Sequence, residues 1–217
     1  MFPSHDIVKS KGMENKTLRS KKKQKELEQV VAKVVKKTVT SELKYFEQYA
    51  AGPISIAGNI VNISDITQGT DVTQRIGQQV KFSHCELKFH LTIAGAATPE
   101  INRVMLVMDM QGYNAPVIGD IVEPLFAATA WMPIATLNWN YKRRFQVLFD
   151  RAFAMNNAAT PNVVCEKRVR LGGKVANYIG ASTTFKNQIY LLFMTSESNV
   201  LALPNYYFTF RLYFHDD

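Results

Sequence analysis

Val80-Lys81-Phe82-Ser83-His84-Cys85-Glu86-Leu87-Lys88-Phe89-His90-Leu91-Thr92-Ile93 is the stretch on which the fold turns. Apolar and polar residues alternate along it, the period of two of a strand with one buried face. The apolar set does not keep one parity: Val80 and Phe82 are even, whereas Cys85, Leu87, Phe89, Leu91 and Ile93 are odd. A one-residue slip sends every side chain to the opposite face, so the switch predicts a bulge or sharp bend near Ser83 and His84 in one long strand. The preceding stretch, from Gln68, is a polar loop punctuated by Gly69 and Gly77.

Working outward, seven more strands are expected, at 41–49, 54–63, 101–110, 143–155, 163–171, 186–196 and 206–215. Ala51-Gly52-Pro53 reads as a break after the first, and Gly58 as a bend inside the second. The fourth carries Val104-Met105-Leu106-Val107-Met108, an unbroken apolar run that suits a central strand covered on both faces. The sixth places Val163, Cys165, Val169 and Leu171 on one face and Glu166, Arg168 and Arg170 on the other. Phe145 and Phe149 share parity in the fifth strand, as Phe208, Phe210 and Phe214 do in the eighth, and read as core. Between the fourth and fifth, residues 111–141 form a long connection with Trp131 and Trp139, a length that is normally functional. A short helix is expected at 118–126.

Eight antiparallel strands in one domain of residues 40–217 fit an all-β, two-sheet jelly-roll sandwich. Strands one, eight, three and six are expected in one sheet and two, seven, four and five in the other. The long connection and the missing Cys and Trp spacing disfavour an immunoglobulin-like sandwich.

The charge is unevenly distributed. Through Lys37 there are eleven Lys or Arg against four Asp or Glu; the rest of the chain has fifteen against fourteen. Residues 1–23 are too poor in large apolar side chains to offset the entropy of ordering, and are expected to be a disordered basic arm. Leu27, Val30, Val31, Val34 and Val35 then recur at helical spacing, which predicts an amphipathic basic helix over 24–39 whose stripe packs against a partner. Lys9, Lys11, Lys16, Arg19, Lys21, Lys22, Lys23 and Lys25 of the arm, with Lys33, Lys36 and Lys37 of the helix, are the candidate phosphate contacts. Lys142, Arg143, Arg168 and Arg170 either extend that basic surface or form outward-facing salt bridges. The cluster from Arg19 to Lys25 also has the composition of a nuclear import signal.

No apolar run approaches the roughly 20 residues of a membrane span, and the N-terminus lacks a signal-peptide core, so a soluble protein made in the cytosol is expected. Cys85 and Cys165 show no metal or disulfide spacing and are expected to be buried, reduced thiols. His84, His90 and His215 fall in strand segments without metal-ligand spacing, and nucleophile, phosphate-loop and metalloprotease motifs are absent. Catalysis is not expected. Two other readings compete: a stand-alone single-stranded nucleic-acid-binding protein with an aromatic sheet for stacking on bases, and a secreted sugar-binding jelly roll, which would not need the basic tail.

Asn62-Ile63-Ser64, followed by Ile66-Thr-Gln-Gly69-Thr-Asp71-Val-Thr-Gln-Arg75-Ile-Gly77, resembles the second-to-third strand connection of the satellite tobacco necrosis virus coat protein family. Related capsid proteins occur in circular Rep-encoding single-stranded DNA viruses. The resemblance continues through Arg103, Asp109-Met-Gln111, residues 116–122, Arg144 to Asp150, and Val175-Ala-Asn177-Tyr178-Ile-Gly180. It implies a capsid subunit, sixty copies of which close a T=1 icosahedral virion. It also implies arms directed inward to a single-stranded genome, with DNA favoured over RNA, and arm helices bundled at the threefold axes. Asp71 falls at an acidic position near a subunit-interface calcium site of that family and Asp216 lies near its C-terminal acidic position, which makes the two candidate calcium ligands, against the alternative of a loop cap and a solvated terminus; no cofactor is required. The host receptor is left open. The 111–141 segment is longer than its satellite-virus counterpart.

Overall fold

The computed structural model describes residues 24–30, 42–94, 99–112, 114–123, 133–180 and 183–216, and the chain divides into two units, residues 1–41 and 42–217. In the first unit, residues 24–30 are helical (α1) and exposed. The remainder of the expected helix and the rest of the arm lie outside the described residues.

Among the described residues the second unit has ten strands: β1 (Leu43–Pro53), β2 (Asn59–Asn62), β3 (Gln79–Thr92), β4 (Glu100–Asp109), β5 (Phe145–Met155), β6 (Asn162–Arg170), β7 (Val175–Ile179), β8 (Thr183–Lys186), β9 (Gln188–Thr195) and β10 (Asn205–Asp216). One sheet runs β1-β10-β3, with β6 and the β7-β8 hairpin both continuing from β3; the other runs β2-β9-β4-β5. All pairings are antiparallel, and the eight expected strands take the expected sheets of a jelly-roll sandwich. The β7-β8 hairpin is additional, built from strands too short for periodicity to reveal.

The parity switch in β3 is a bulge. Tyr213 of β10 faces His84, whereas the next residue, Phe214, faces Phe82, leaving Ser83 as the extra residue. The bulge brings Val80, Phe82, Cys85, Leu87, Phe89 and Leu91 to a single buried face. It is also where β3 changes neighbours: His84–Thr92 pair with β6, and Gln79–Lys81 with β7. The chain makes that jump through Gly172 and Gly173, both at positive φ, and the Gly173 N–H donates to the Phe82 carbonyl at 3.0 Å.

Three expectations about the strands need correction. Ala51-Gly52-Pro53 does not break the first strand; these residues finish β1, where pairing with Tyr207, Tyr206 and Asn205 continues. The second strand is shortened, because Gly58, at φ +75, closes a turn on Ser55 before β2 begins. In β5 a second bulge intervenes: Leu106 faces Phe149 and Val107 faces Val147, leaving Leu148 as the extra residue. Phe145 therefore packs in a different apolar cluster from Phe149, although the two share sequence parity.

Those two clusters lie on opposite faces of the β2-β9-β4-β5 sheet. The main core between the sheets holds Val104, Leu106 and Met108 with Phe208, Phe210, Leu212 and Phe214. The second cluster holds Met105, Val107, Leu192 and Met194, covered by Ile118, Ile121, Val122 and Ala135 from the long connection. Both interior strands, β4 and β9, are thus buried on both faces, as their continuous apolar runs require. The connection contributes a single-turn helix α2 (Ile118–Ile121), shorter than the expected 118–126, and a 3-10 turn at Trp139–Tyr141. Trp139 is exposed, with the Lys142 ammonium 3.2 Å from its ring centroid.

Cys85 is buried, and burial pushes its thiol up to about 12, far from thiolate chemistry at neutral pH. Cys165 is only half-buried, because β6 is covered on one side alone. Neither is in a disulfide.

Candidate functional site

The residues of the Gln-Gly to Arg-x-Gly loop converge on a buried guanidinium. Arg75 has no solvent exposure. Its Nε donates to the Ile66 carbonyl at 3.1 Å, and its two terminal nitrogens donate to the carbonyls of Gly77 and Gly180. The Tyr178 ring lies beneath it, 4.2 Å from Cζ to centroid. Tyr178 Oη donates to the Ser64 carbonyl at 2.8 Å, while Ser64 Oγ donates to Asn62 Oδ1 and accepts from the Ile189 N–H. One polar network thus joins the β2-β3 connection, the β7-β8 turn and the start of β9. Gly69 is held in the same loop, accepted by the Arg75 carbonyl at 2.9 Å, and a Cβ there would strike the Gln74 side chain. The Gln-Gly to Arg-x-Gly signature is therefore a structural staple.

Two further arginines fasten the long connection to the sheet. Arg144 Nε and Nη2 donate to Asp109 Oδ2 at 3.0 and 2.8 Å, and Asp109, fully buried, also accepts the Gln111 and Gly112 N–H groups. The hydrogen bond to Asp109 is the largest influence raising the Arg144 pKa. Arg103 makes a bidentate pair with Asp150 and donates to the carbonyls of Pro133 and Ala135. The edge strand β5, its neighbour β4 and the connection over them are thereby one assembly. None of this was legible as chemistry in the sequence; the signal available was that Arg103 and Asp109 interrupt the otherwise apolar segment 101–110.

Of the candidate phosphate contacts, Lys25 lies in α1 and is exposed; Lys9, Lys11, Lys16, Arg19, Lys21, Lys22, Lys23, Lys33, Lys36 and Lys37 lie outside the described residues. In the helix stripe Leu27 and Val30 are 65% and 57% exposed, and Val31, Val34 and Val35 lie outside the described residues.

Asp71 and Asp216 belong to neighbouring parts of one corner. Asp216 Oδ1 accepts the Ile76 N–H at 3.3 Å, and Lys44 Nζ sits 2.8 Å from Asp216 Oδ2 while donating to the Gln74 carbonyl at 3.1 Å. An ammonium therefore already neutralises Asp216, whereas the Asp71 carboxylate is exposed. Among the described residues no group of three or more His, Cys, Asp or Glu is gathered to hold a metal, and one chain's donors alone do not fit a calcium ion.

The aromatic residues of β10 are engaged inward. Phe208, Phe210 and Phe214 are buried, and Phe193, Tyr206 and Phe208 stack within the core, so they offer no platform for bases. Among the described residues no helix is long and apolar enough to cross a membrane.

No curated protein matches the chain. Among solved structures, similar chains include Desmodium yellow mottle tymovirus, 12% identical, with a TM-score of 0.40 over 81% of this chain and 88% of that one. The infectious bursal disease virus VP2 subviral particle is 7% identical, with a TM-score of 0.31 over 82% of this chain, which spans 33% of the VP2 chain. The family model for the satellite tobacco necrosis virus coat protein matches residues 16–216, from inside the basic arm to the end of β10. A match of that extent, together with the jelly-roll sandwich, identifies this as a viral coat protein: the chain belongs to the satellite tobacco necrosis virus coat protein family.

Proposed function

We propose that this coat protein closes into a T=1 icosahedral shell of sixty copies, with the basic arms inside holding a single-stranded genome, DNA rather than RNA. The observation that carries this reading is the partition of charge: eleven cations against four acids through Lys37, and near balance beyond it. Lys and Arg release condensed counterions from phosphate, giving an affinity that is blind to sequence and weakens steeply with salt. Sixty arms would supply roughly 420 net positive charges, so shell closure and genome capture would reinforce each other.

The exposed Leu27 and Val30 support bundling of arm helices from neighbouring copies, which would bury their stripe and supply the partner that a valine-rich helix needs. An interface calcium would draw on Asp71 with oxygens of a neighbouring subunit, since Lys44 already neutralises Asp216. The Arg19 to Lys25 cluster would serve nuclear import before assembly.

Removal of residues 1–37 tests the assignment. The truncated protein is expected to keep the melting transition of the sandwich and to lose nuclease-resistant nucleic acid. Retention of protected nucleic acid by the truncated protein would show that the arm is not the packaging element.

A further inference from the structure

The solvent face of the β1-β10-β3-β6 sheet is organised in rows. Arg168, Glu86, Arg211 and Glu47 lie side by side in one row, and the next holds Glu166, Lys88, Thr209 and Tyr49. Their charges neutralise one another: Arg211 pairs with Glu47 at 3.1 Å, Lys88 with Glu166 at 3.0 Å, and Arg168 approaches Glu86 at 3.9 Å. On the other side of Arg168 the pattern stops. The row at the bulge is Arg170, His84, Tyr213 and Tyr45, with no carboxylate, and beyond it comes Lys81, lying against Gly173. Arg170 is exposed, and no acidic group pairs with it among the described residues.

These side chains surround a cavity of about 590 Å³ lined by Ser83, His84, Arg168, Arg170 and Gly172. The bulge creates it, because the extra residue and the Gly172-Gly173 jump open the sheet where β3 leaves β6 for β7. His84 is fixed within it. Arg168 Nη2 lies 2.9 Å from His84 Nε2, and a guanidinium only donates, so Nε2 accepts and the ring proton is on Nδ1, 3.0 Å from Ser83 Oγ. The imidazole also stacks on Tyr213, with centroids 4.2 Å apart and planes inclined by 15°. Burial first, and the Arg168 charge second, lower the His84 pKa, in keeping with a neutral ring.

We propose that this cavity is a second nucleic-acid contact, seating one phosphodiester of the packaged single strand on Arg168 and Arg170, with the His84–Tyr213 stack supporting the adjacent base. Planar guanidinium forks match phosphate oxygens, and Arg168 keeps donors open because Glu86 stands beyond hydrogen-bond distance. Stacking on an aromatic pair accepts any base, which suits a site that must bind wherever the strand passes. The proposal rests on the packaging reading above. It differs in placing a contact on the folded sheet, where geometry is fixed, rather than on the arm.

Binding of a fluorescein-labelled oligothymidylate to the full-length protein, followed across salt concentrations, tests it. R168Q/R170Q is expected to lower affinity about tenfold and to flatten the log–log salt dependence by about 1.4, two phosphate contacts on a single strand. R170Q alone, at an exposed residue without an ion pair, is expected to flatten it by about half as much; it guards against misfolding of the double variant. R151Q, an exposed β5 control, is expected to change nothing. K21Q/K22Q/K23Q reports the arm separately. Loss in the arm variant with no change in R168Q/R170Q or R170Q overturns the proposal and leaves the packaging reading intact. Loss in R168Q/R170Q with no change in the arm variant upholds the cavity and removes the arm. If intact shells bind heparin only when Arg170 is present, and oligonucleotide binding is unaffected, the cavity is an outward polysaccharide site and the proposal fails.

Discussion

The Arg75 guanidinium lies over the Tyr178 ring, 4.2 Å from its centroid, in a place with no solvent exposure. The two residues are more than a hundred positions apart in the chain, and between them they close the β2-β3 connection against the β7-β8 turn. The fork geometry matters more than the charge. Arg75→Lys is expected to destabilise the sandwich by about 2–4 kcal/mol, since one ammonium cannot reach all three carbonyls and loses the planar contact with the ring. Tyr178→Phe, which removes the Oη bond to the Ser64 carbonyl and keeps the ring, should cost about 1 kcal/mol. Urea denaturation midpoints check both; equal midpoints for R75K and the parent chain would show that the staple is not structural.

The bulge at Ser83 can be tested by removing it. Deleting Ser83 joins Phe82 to His84 in an unbroken β3-β10 register that keeps Val80 and Phe82 on the buried face, so the loss is expected to stay well below the roughly 3–6 kcal/mol that turning those two side chains to solvent would cost. Ser83→Ala keeps the bulge and is expected to be nearly neutral. Thermal unfolding of the two variants separates backbone register from side-chain chemistry.

Asp109→Asn should be strongly destabilising, by about 3–5 kcal/mol, because it leaves the Arg144 charge buried and poorly paired. The D109N/R144M double variant recovers part of that loss only, since Arg144 also donates to the Asn114 carbonyl and pairs with Asp120. Limited proteolysis across residues 111–141 would report release of the connection in the single variant.

Glu100 supplies a pH dependence. Burial pushes its pKa up, with Asn102 opposing and the neighbouring Glu197 charge adding to the rise. Its Oε2 is buried without a hydrogen-bond partner among the described residues. A raised carboxyl pKa in the folded state means that its contribution is fully present in acid and is lost as the pH climbs above the ordinary carboxylate range. Glu100→Gln is therefore expected to stabilise the protein by about 1 kcal/mol at neutral pH and to have little effect in mild acid. An equal gain at both pH values would exclude the charge as the cause.

Much of this architecture was legible in the sequence because both faces of the reading were constrained. The parity switch in β3 placed a bulge or bend near Ser83 and His84, where the structure has it, and the apolar run of β4 marked a strand covered on both faces. The bulge in β5 was hidden, because Phe145, Val147 and Phe149 alternate in sequence while Leu148 absorbs the slip in space. The β7-β8 hairpin was hidden as well, its strands of five and four residues being too short to show a period. As for the site, the cationic arm could be read from composition alone, since phosphate binding needs charge and little geometry. The cavity at Ser83 and His84 could not, because it depends on which charges β10, β3 and β6 place beside one another.

The most direct test is the mass and cargo of the assembled full-length protein, measured by native mass spectrometry with nuclease treatment of the same fraction. Sixty copies of a 24.6 kDa chain give roughly 1.5 MDa of protein, and a closed shell of that mass retaining nucleic acid after nuclease is the expected result. A protein that stays in small oligomers, and whose bound nucleic acid is fully digested, would contradict the packaging shell proposed here.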